Sequence, residues 1–113
     1  MELFGTAGIR GSAIERVKPE LALEVGRAVG ADAVESAGPP TVVVGRDGRT
    51  TGPALAAAVE AGLESAGADV RRVGVLPTPA LAYASQGRHG VMLTASHNPP
   101  TDNGIKLFVD GEE

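Results

Sequence analysis

The stretch Thr41-Val42-Val43-Val44-Gly45-Arg46-Asp47-Gly48 decides the fold of this chain. An unbroken run of β-branched residues is typical of a strand that is covered on both faces, as in a parallel sheet between helices. The glycine-rich continuation predicts a loop at the carboxyl end of that strand, the edge where ligands bind in α/β sheets. It is not a P-loop, because the Gly-Lys-Ser/Thr ending is missing. Two roles stay open for Arg46 and Asp47: a local ion pair that shapes the turn, or direct contact with a substrate.

Helical patterns flank this strand on both sides. Residues 19 to about 37 predict a helix that starts at Pro19, and residues 51 to 66 predict a second helix, capped by Thr51 and ended by Gly67. An apolar residue recurs every fourth position in each helix: Leu21, Val25 and Val29 in the first, and Leu55, Val59 and Leu63 in the second. We therefore expect each helix to bury one apolar stripe.

The alternation of strand and helix continues along the chain. Residues 69 to 75 predict a strand, and Thr78 is expected to be the N-cap of a short helix from Ala80 to about Gln86. A turn over residues 87–90 follows, and we expect its His89 to lie at the surface. Strands that alternate with helices in this way predict a parallel sheet.

The last two strands, at about residues 90–94 and 104–109, follow a different pattern. They are joined by too few residues for a crossover helix, so they should form an antiparallel hairpin. The predicted fold class is therefore α/β, a three-layer mixed sheet, mostly parallel with a C-terminal antiparallel hairpin, with helices on both faces. A chain of 113 residues is the size of one domain.

Composition excludes several classes of protein. The chain has no Cys, so it has no disulfide framework and no thiolate zinc site. A net charge of −4 argues against nucleic acid as a partner. No apolar run approaches the ~20 residues of a membrane span, and Met1 to Phe4 lack the basic region of a signal peptide. We expect a cytoplasmic protein that binds neither nucleic acid nor membrane.

The segment between the last two strands is Thr94-Ala95-Ser96-His97-Asn98-Pro99-Pro100. Its Asn-Pro and Pro-Pro pairs form turns, so the loop should be stiff and should hold its side chains outward. A Ser beside a His on such a loop indicates chemistry, since loops on a rigid scaffold often carry function. Ser, His and Asn also favour turns for local reasons, so the loop alone leaves both interpretations open.

Three segments in order together resemble the α-D-phosphohexomutases, the family of phosphoglucomutase, phosphomannomutase and phosphoglucosamine mutase. They are Phe4-Gly5-Thr6-Ala7-Gly8-Ile9-Arg10-Gly11, Val44-Gly45-Arg46-Asp47-Gly48-Arg49 and Thr94-Ala95-Ser96-His97-Asn98-Pro99. The resemblance implies that residues 1–113 form domain I, the N-terminal, active-serine domain of a larger four-domain enzyme. Ala7 stands where many members carry Asp or Ser, and Asp102 stands where many carry Tyr.

The resemblance also implies a reaction and its residues. Ser96, as a stable phosphoserine, gives its phosphate to a hexose phosphate and regains a phosphate from the bisphosphate intermediate, so phosphate moves between O1 and O6 of the sugar. Lys106 is implied as the general acid/base and His97 as a group that helps to orient it. Arg10 is implied to contact the phosphoserine region, and Arg10, His97, Asn98 and Lys106 to bind substrate or phosphate. Mg²⁺ is implied as the cofactor, held by the phosphate on Ser96 and by aspartates outside this chain.

Two other functions stay open on the sequence. One is a stand-alone phosphosugar-binding α/β module without turnover, and the other is a nucleotide-binding domain, disfavoured because both nucleotide fingerprints are missing. The partners expected for the mutase are a hexose phosphate and the remaining domains of the same polypeptide. The isolated chain is expected to be inactive, because the family's aspartate-rich metal loop does not occur in it.

Overall fold

A computed structural model describes residues 9–12, 19–48, 52–93 and 102–113. The elements are β1 (Ile9–Ser12), α1 (Pro19–Glu35), β2 (Thr41–Arg46), α2 (Gly52–Ser65), β3 (Asp69–Val75), α3 (Thr78–Ala84), β4 (His89–Leu93) and β5 (Asp102–Val109). None of these helices combines the length and the hydropathy that a membrane-spanning helix needs.

The described strands form one mixed sheet in the order β1-β5-β4-β2-β3. The central strand β2 runs parallel to β3 and to β4, whereas β5 is antiparallel to both β4 and β1. Four of the five strands therefore point the same way, and β5 runs against them. The mostly parallel sheet and the C-terminal antiparallel pair that the sequence predicts are confirmed.

Helices cover both faces of the sheet, as the sequence also predicts. On one face, α1 and α2 pack over β2, β4 and β5 through a cluster that includes Val25, Val59, Leu63, Val91 and Ile105. On the other face, the short helix α3 inserts Leu81 against Val43, Met92 and Phe108. Alternate residues of β2 thus enter opposite cores, which explains its unbroken apolar run.

Glycines bring α1 and α2 into close contact. A Cβ atom at Gly26 would collide with the Val59 carbonyl oxygen, and one at Gly62 would collide with the Leu23 carbonyl oxygen. The two helix backbones therefore touch at this crossing, which only glycine permits.

Several local predictions from the sequence are wrong. The strand β1 was not expected, because its sequence Ile9-Arg10-Gly11-Ser12 has one strong β-former; its extended conformation comes from pairing with β5. Helix α1 ends at Glu35, two residues before the predicted end.

Helix α3 begins at Thr78 with Pro77 as its N-cap residue, and no side chain caps it. The Pro77 carbonyl oxygen accepts from the Ala80 and Leu81 amides, which are the donors that a Thr78 N-cap would have bound.

The prediction of a surface position for His89 is also wrong. His89 is the first residue of β4 and pairs with Val42 of the central strand, which places it under α1. It is only 7% exposed, and its Nε2 lies 2.8 Å from Oδ2 of Asp32 on that helix. A buried imidazole needs a polar partner, and Asp32 provides one.

Candidate active site

The carboxyl ends of β2 and β4 lie side by side at one edge of the sheet. Arg46, the last residue of β2, is in register with Leu93, the last residue of β4. The Asp47 amide donates to the Leu93 carbonyl oxygen at 3.1 Å, and the Leu76 amide donates to the Arg46 carbonyl oxygen at 3.1 Å. These bonds gather the loops after β2, β3 and β4 at the edge where α/β sheets bind ligands.

The backbone of Arg10 reaches the same edge from the other side of β5. Ile105 is in register with both Leu93 and Ile9, and Arg10 is in register with Gly104. Arg10 therefore lies one residue beyond the level of Leu93, two strand spacings away, or about 10 Å. The sheet brings the backbone of Ile9–Ser12 to the edge at which β4 ends.

Lys106 lies on β5 directly opposite Met92. Residues opposite each other in an antiparallel pair project from the same face, and Met92 belongs to the core under α3. The half-buried Lys106 therefore projects from the α3 face, beside its neighbour on that face, Phe108. Its backbone lies one residue step from Leu93 and Ile105, the last described pair of these two strands.

The other predicted site residues, Ser96, His97 and Asn98, lie outside the described residues. The structure describes both ends of the loop that carries them. β4 ends at Leu93, β5 begins at Asp102, and eight residues connect the two strands. The two strands are paired up to Leu93 and Ile105, and this end of the pair lies at the edge that the backbones of Arg10 and Arg46 share.

A small cleft of about 140 Å³ beside this edge was not expected from the sequence. Arg46, Glu60, Arg72 and Gly74 are among its lining residues, which come from β2, α2 and β3. Glu60 is 7% exposed, and one carboxylate oxygen accepts from Arg72 Nε at 2.6 Å. This hydrogen bond and the carboxylate charge raise the pKa of Arg72. No sequence signal links the two residues, because they come from different elements and belong to no motif.

Metal binding is not supported by the described residues alone. Among them, no group of three or more His, Asp or Glu side chains is placed to hold an ion. This part of the chain therefore does not supply a complete site for Mg²⁺, which takes about six oxygen ligands.

Comparisons with known proteins agree with one another. The family profile "Phosphoglucomutase/phosphomannomutase, alpha/beta/alpha domain I" matches residues 1–112. The chain is 56% identical to a phosphoglucosamine mutase from Salinispora arenicola over 114 aligned positions, which cover 96% of this chain and 25% of that protein. It is 53% identical to a phosphopentomutase from Thermococcus kodakarensis, with 100% of this chain and 25% of that protein covered.

A solved structure shows the same fold. The crystal structure of a phosphoglucomutase/phosphomannomutase family protein from Burkholderia thailandensis superimposes with a TM-score of 0.87 and 37% identity, covering 96% of this chain and 26% of that one. The chain thus spans about a quarter of the length of the relatives that it matches.

Proposed function

Since the chain belongs to the phosphoglucomutase/phosphomannomutase family and matches its domain I, we propose that it carries the phosphoserine of a phosphohexomutase. Ser96 is the phosphoryl carrier that converts hexose 1-phosphate and hexose 6-phosphate into each other through a bisphosphorylated sugar. The remaining domains of the same polypeptide supply the rest of the site. The names of the relatives include both a glucosamine and a pentose substrate, so we place the choice of sugar in those other domains.

One observation carries the proposal: the loop that holds Ser96 starts at the edge where the backbone of Arg10 and the loop after Arg46 also lie. These segments are the three on which the family resemblance rests, and they are far apart in sequence. The described residues Arg10 and Arg46 and the end of β4, from which the third segment continues, lie at one edge of the sheet, and this supports the proposal. Separate structural roles for the three segments would not require that convergence.

Charge supports the assignment of roles. Phosphoryl transfer depends mainly on positioning and on neutralising charge, and an anionic sugar must here approach an anionic phosphoserine in a chain of net charge −4. Positive charge must then be local. We assign it to Arg10, His97 and Lys106, with the guanidinium of Arg10 suited to pair with phosphate oxygens, and Asn98 as a hydrogen-bonding group for phosphate.

Lys106 has a second role in the proposal, as general acid/base for the sugar hydroxyl. Its position opposite Met92, on the strand that returns from the Ser96 loop, places it near the start of that loop. In its ammonium form Lys106 can give a proton to the sugar oxygen that leaves phosphorus. In its neutral amine form it can take the proton from the sugar hydroxyl that attacks phosphorus.

Mg²⁺ belongs to the complete enzyme in this proposal. The phosphate on Ser96 provides one ligand, and aspartates from the other domains provide the rest, because the described residues contain no suitable cluster. The ion supplies charge neutralisation for the transferring phosphoryl group.

The test uses the polypeptide that includes the remaining domains. After incubation with a hexose 1,6-bisphosphate, peptide mass spectrometry should locate phosphate on Ser96, and Ser96→Ala should abolish both the label and turnover. Phosphate found only on other residues would contradict the assignment. Saturable binding of hexose phosphate with neither label nor turnover would favour the binding module without catalysis.

A further inference from the structure

An exposed apolar surface lies on the outside of α3 and on the segment that leads into it. Tyr83 of α3 is 75% exposed, and Val75 at the end of β3 is exposed as well. Pro79 lies one helical turn before Tyr83 and is also exposed, so the two side chains share one face of the helix. No charged residue occurs from Val75 to Gln86. We call the exposed residues Val75, Pro77, Pro79 and Tyr83 the α3 patch.

The α3 patch differs from the outer surface of the long helix α1. Single exposed apolar side chains are common, but a group of neighbouring ones indicates a surface that another body covers. The outer surface of α1 carries the charged groups that suit contact with water: Glu20, Glu24, Arg27, Asp32 and Glu35 are all exposed. The α3 patch has no such groups, and its Tyr83 combines apolar area with a hydroxyl group, a combination that protein interfaces favour.

The backbone under the α3 patch is held in place by the sheet. Leu81, on the inner side of α3, is fully buried in the core. The Leu76 amide donates to the Arg46 carbonyl oxygen, and the Pro77 carbonyl oxygen accepts from the Ala80 and Leu81 amides. A surface that is already formed loses little conformational freedom when a partner covers it.

The last described residues lie against the other end of α3. Asp110 and Gly111 have positive φ angles, of 52° and 82°, and form a tight turn after β5. The Gly111 amide donates to Oγ of Ser85, the residue that follows α3, at 3.1 Å. The chain matches domain I of its family and covers about a quarter of the length of its relatives. In the proposed enzyme, the polypeptide that follows Glu113 therefore starts beside α3.

We propose that the next domain of the same polypeptide docks on the α3 patch with a largely apolar surface of its own. This inference rests on the proposed function for the presence of that domain. Lys106 projects from the same face of the sheet as α3. A domain on the α3 patch therefore lies on the side of the sheet that carries the proposed acid/base, and not on the side that α1 and α2 cover.

Cysteine labelling of the polypeptide with all its domains tests the docking, because residues 1–113 contain no Cys. Tyr83→Cys places a thiol in the α3 patch, and Val34→Cys places one on the outer surface of α1, where Val34 is 46% exposed. If nothing covered the patch, the thiol at position 83 would react with iodoacetamide at least as fast as the thiol at position 34, because Tyr83 is the more exposed residue. We expect position 83 to react at least about tenfold more slowly, since the reagent must wait for the interface to open.

Peptide mass spectrometry measures each labelling rate, which is divided by the rate of the same variant in urea. Pro79→Cys is labelled in parallel, because it leaves the Tyr83 ring in place in case the docking depends on that ring. Slow labelling at either patch position that persists on dilution supports the docking. Labelling at both positions as fast as at position 34 would overturn it. Protection that disappears on dilution would also overturn it, because the cover would then be a second copy of the polypeptide.

Turnover and phosphate on Ser96, measured on the unsubstituted polypeptide, test the proposed function separately. An active mutase with fast labelling at both patch positions would contradict the docking alone. A polypeptide with slow labelling but with neither turnover nor phosphate on Ser96 would retain the docking and contradict the mutase function.

Discussion

At the scale of single residues, Lys106 is the group whose role can be separated most clearly into charge and proton transfer. In the polypeptide with all its domains, Lys106→Ala should lower kcat by about 10²–10⁴, the range for loss of a general acid/base. Lys106→Arg keeps the charge but should not restore turnover, because Arg does not release its proton at neutral pH. Steady-state kinetics give kcat for both variants. Arg71→Ala, which changes an exposed residue, is the control. Near-normal turnover in Lys106→Arg would show that the residue supplies charge alone.

Glu60 and Arg72 should respond unequally to mutation, although they form one ion pair. Glu60 is buried, whereas the side chain of Arg72 is 75% exposed. Arg72→Met leaves a buried carboxylate without its hydrogen-bond donor, which is costly. Glu60→Gln leaves an acceptor for Arg72 in place and removes a buried charge, so it should cost less. Thermal unfolding of the two variants should therefore show the lower midpoint for Arg72→Met, and the reverse order would contradict this account.

At the scale of elements, the crossing of α1 and α2 depends on its glycines. Gly62→Ala would gain up to about 1 kcal/mol of helix propensity. Its new Cβ would meet the Leu23 carbonyl oxygen, which is backbone and cannot rotate away. Steric cost should prevail, with a net loss of roughly 1–3 kcal/mol in the free energy of unfolding. Gly48→Ala is the control, since its Cβ would enter open space. Chemical denaturation measures both, and equal stability of the two variants would refute the close contact.

The elements also show which parts of the fold follow from local sequence. The unbroken β-branched run of β2 predicts a buried central strand, and residues 41–46 have that role. β1 could not be predicted, because its extended backbone depends on pairing with residues that come at least ninety positions later in the chain. The N-cap of α3 was misplaced by one residue because Pro77 competes with Thr78 for the same amides. His89 looked like a turn residue because its partner, Asp32, lies 57 positions earlier.

At the scale of the candidate site, the motifs suggested the residues, while the topology placed the backbones of Arg10, Arg46 and Lys106 near the described ends of the Ser96 loop. The Ser96 loop and Lys106 could be selected from the sequence, since the hairpin that joins them is local. The convergence of the Arg10 backbone with that loop requires β5 to lie between β1 and β4, a strand order that sequence patterns do not specify. The cleft around Glu60 and Arg72 depends on how α2 packs over β2 and β3, so no motif could indicate it.

At the scale of the whole molecule, the chain should fold by itself but should not catalyse. Two apolar cores on opposite faces of a five-stranded sheet make a self-contained layered structure. We therefore expect one cooperative thermal transition for residues 1–113. Catalysis needs charge neutralisation and a hold on the far phosphate of the sugar, and the described residues offer no cluster for a metal ion.

Mutase assays on the isolated chain should therefore give no turnover above the blank, and calorimetry should show only weak Mg²⁺ binding. Adding the remaining domains as a separate polypeptide should restore a trace of activity, because the Ser96 loop is already anchored between paired strands. The matched control is the same mixture with Ser96→Ala, which should stay inactive. Clear isomerisation of a hexose phosphate by residues 1–113 alone would mean that the site is complete within this chain, and the division of the site among several domains would then be wrong.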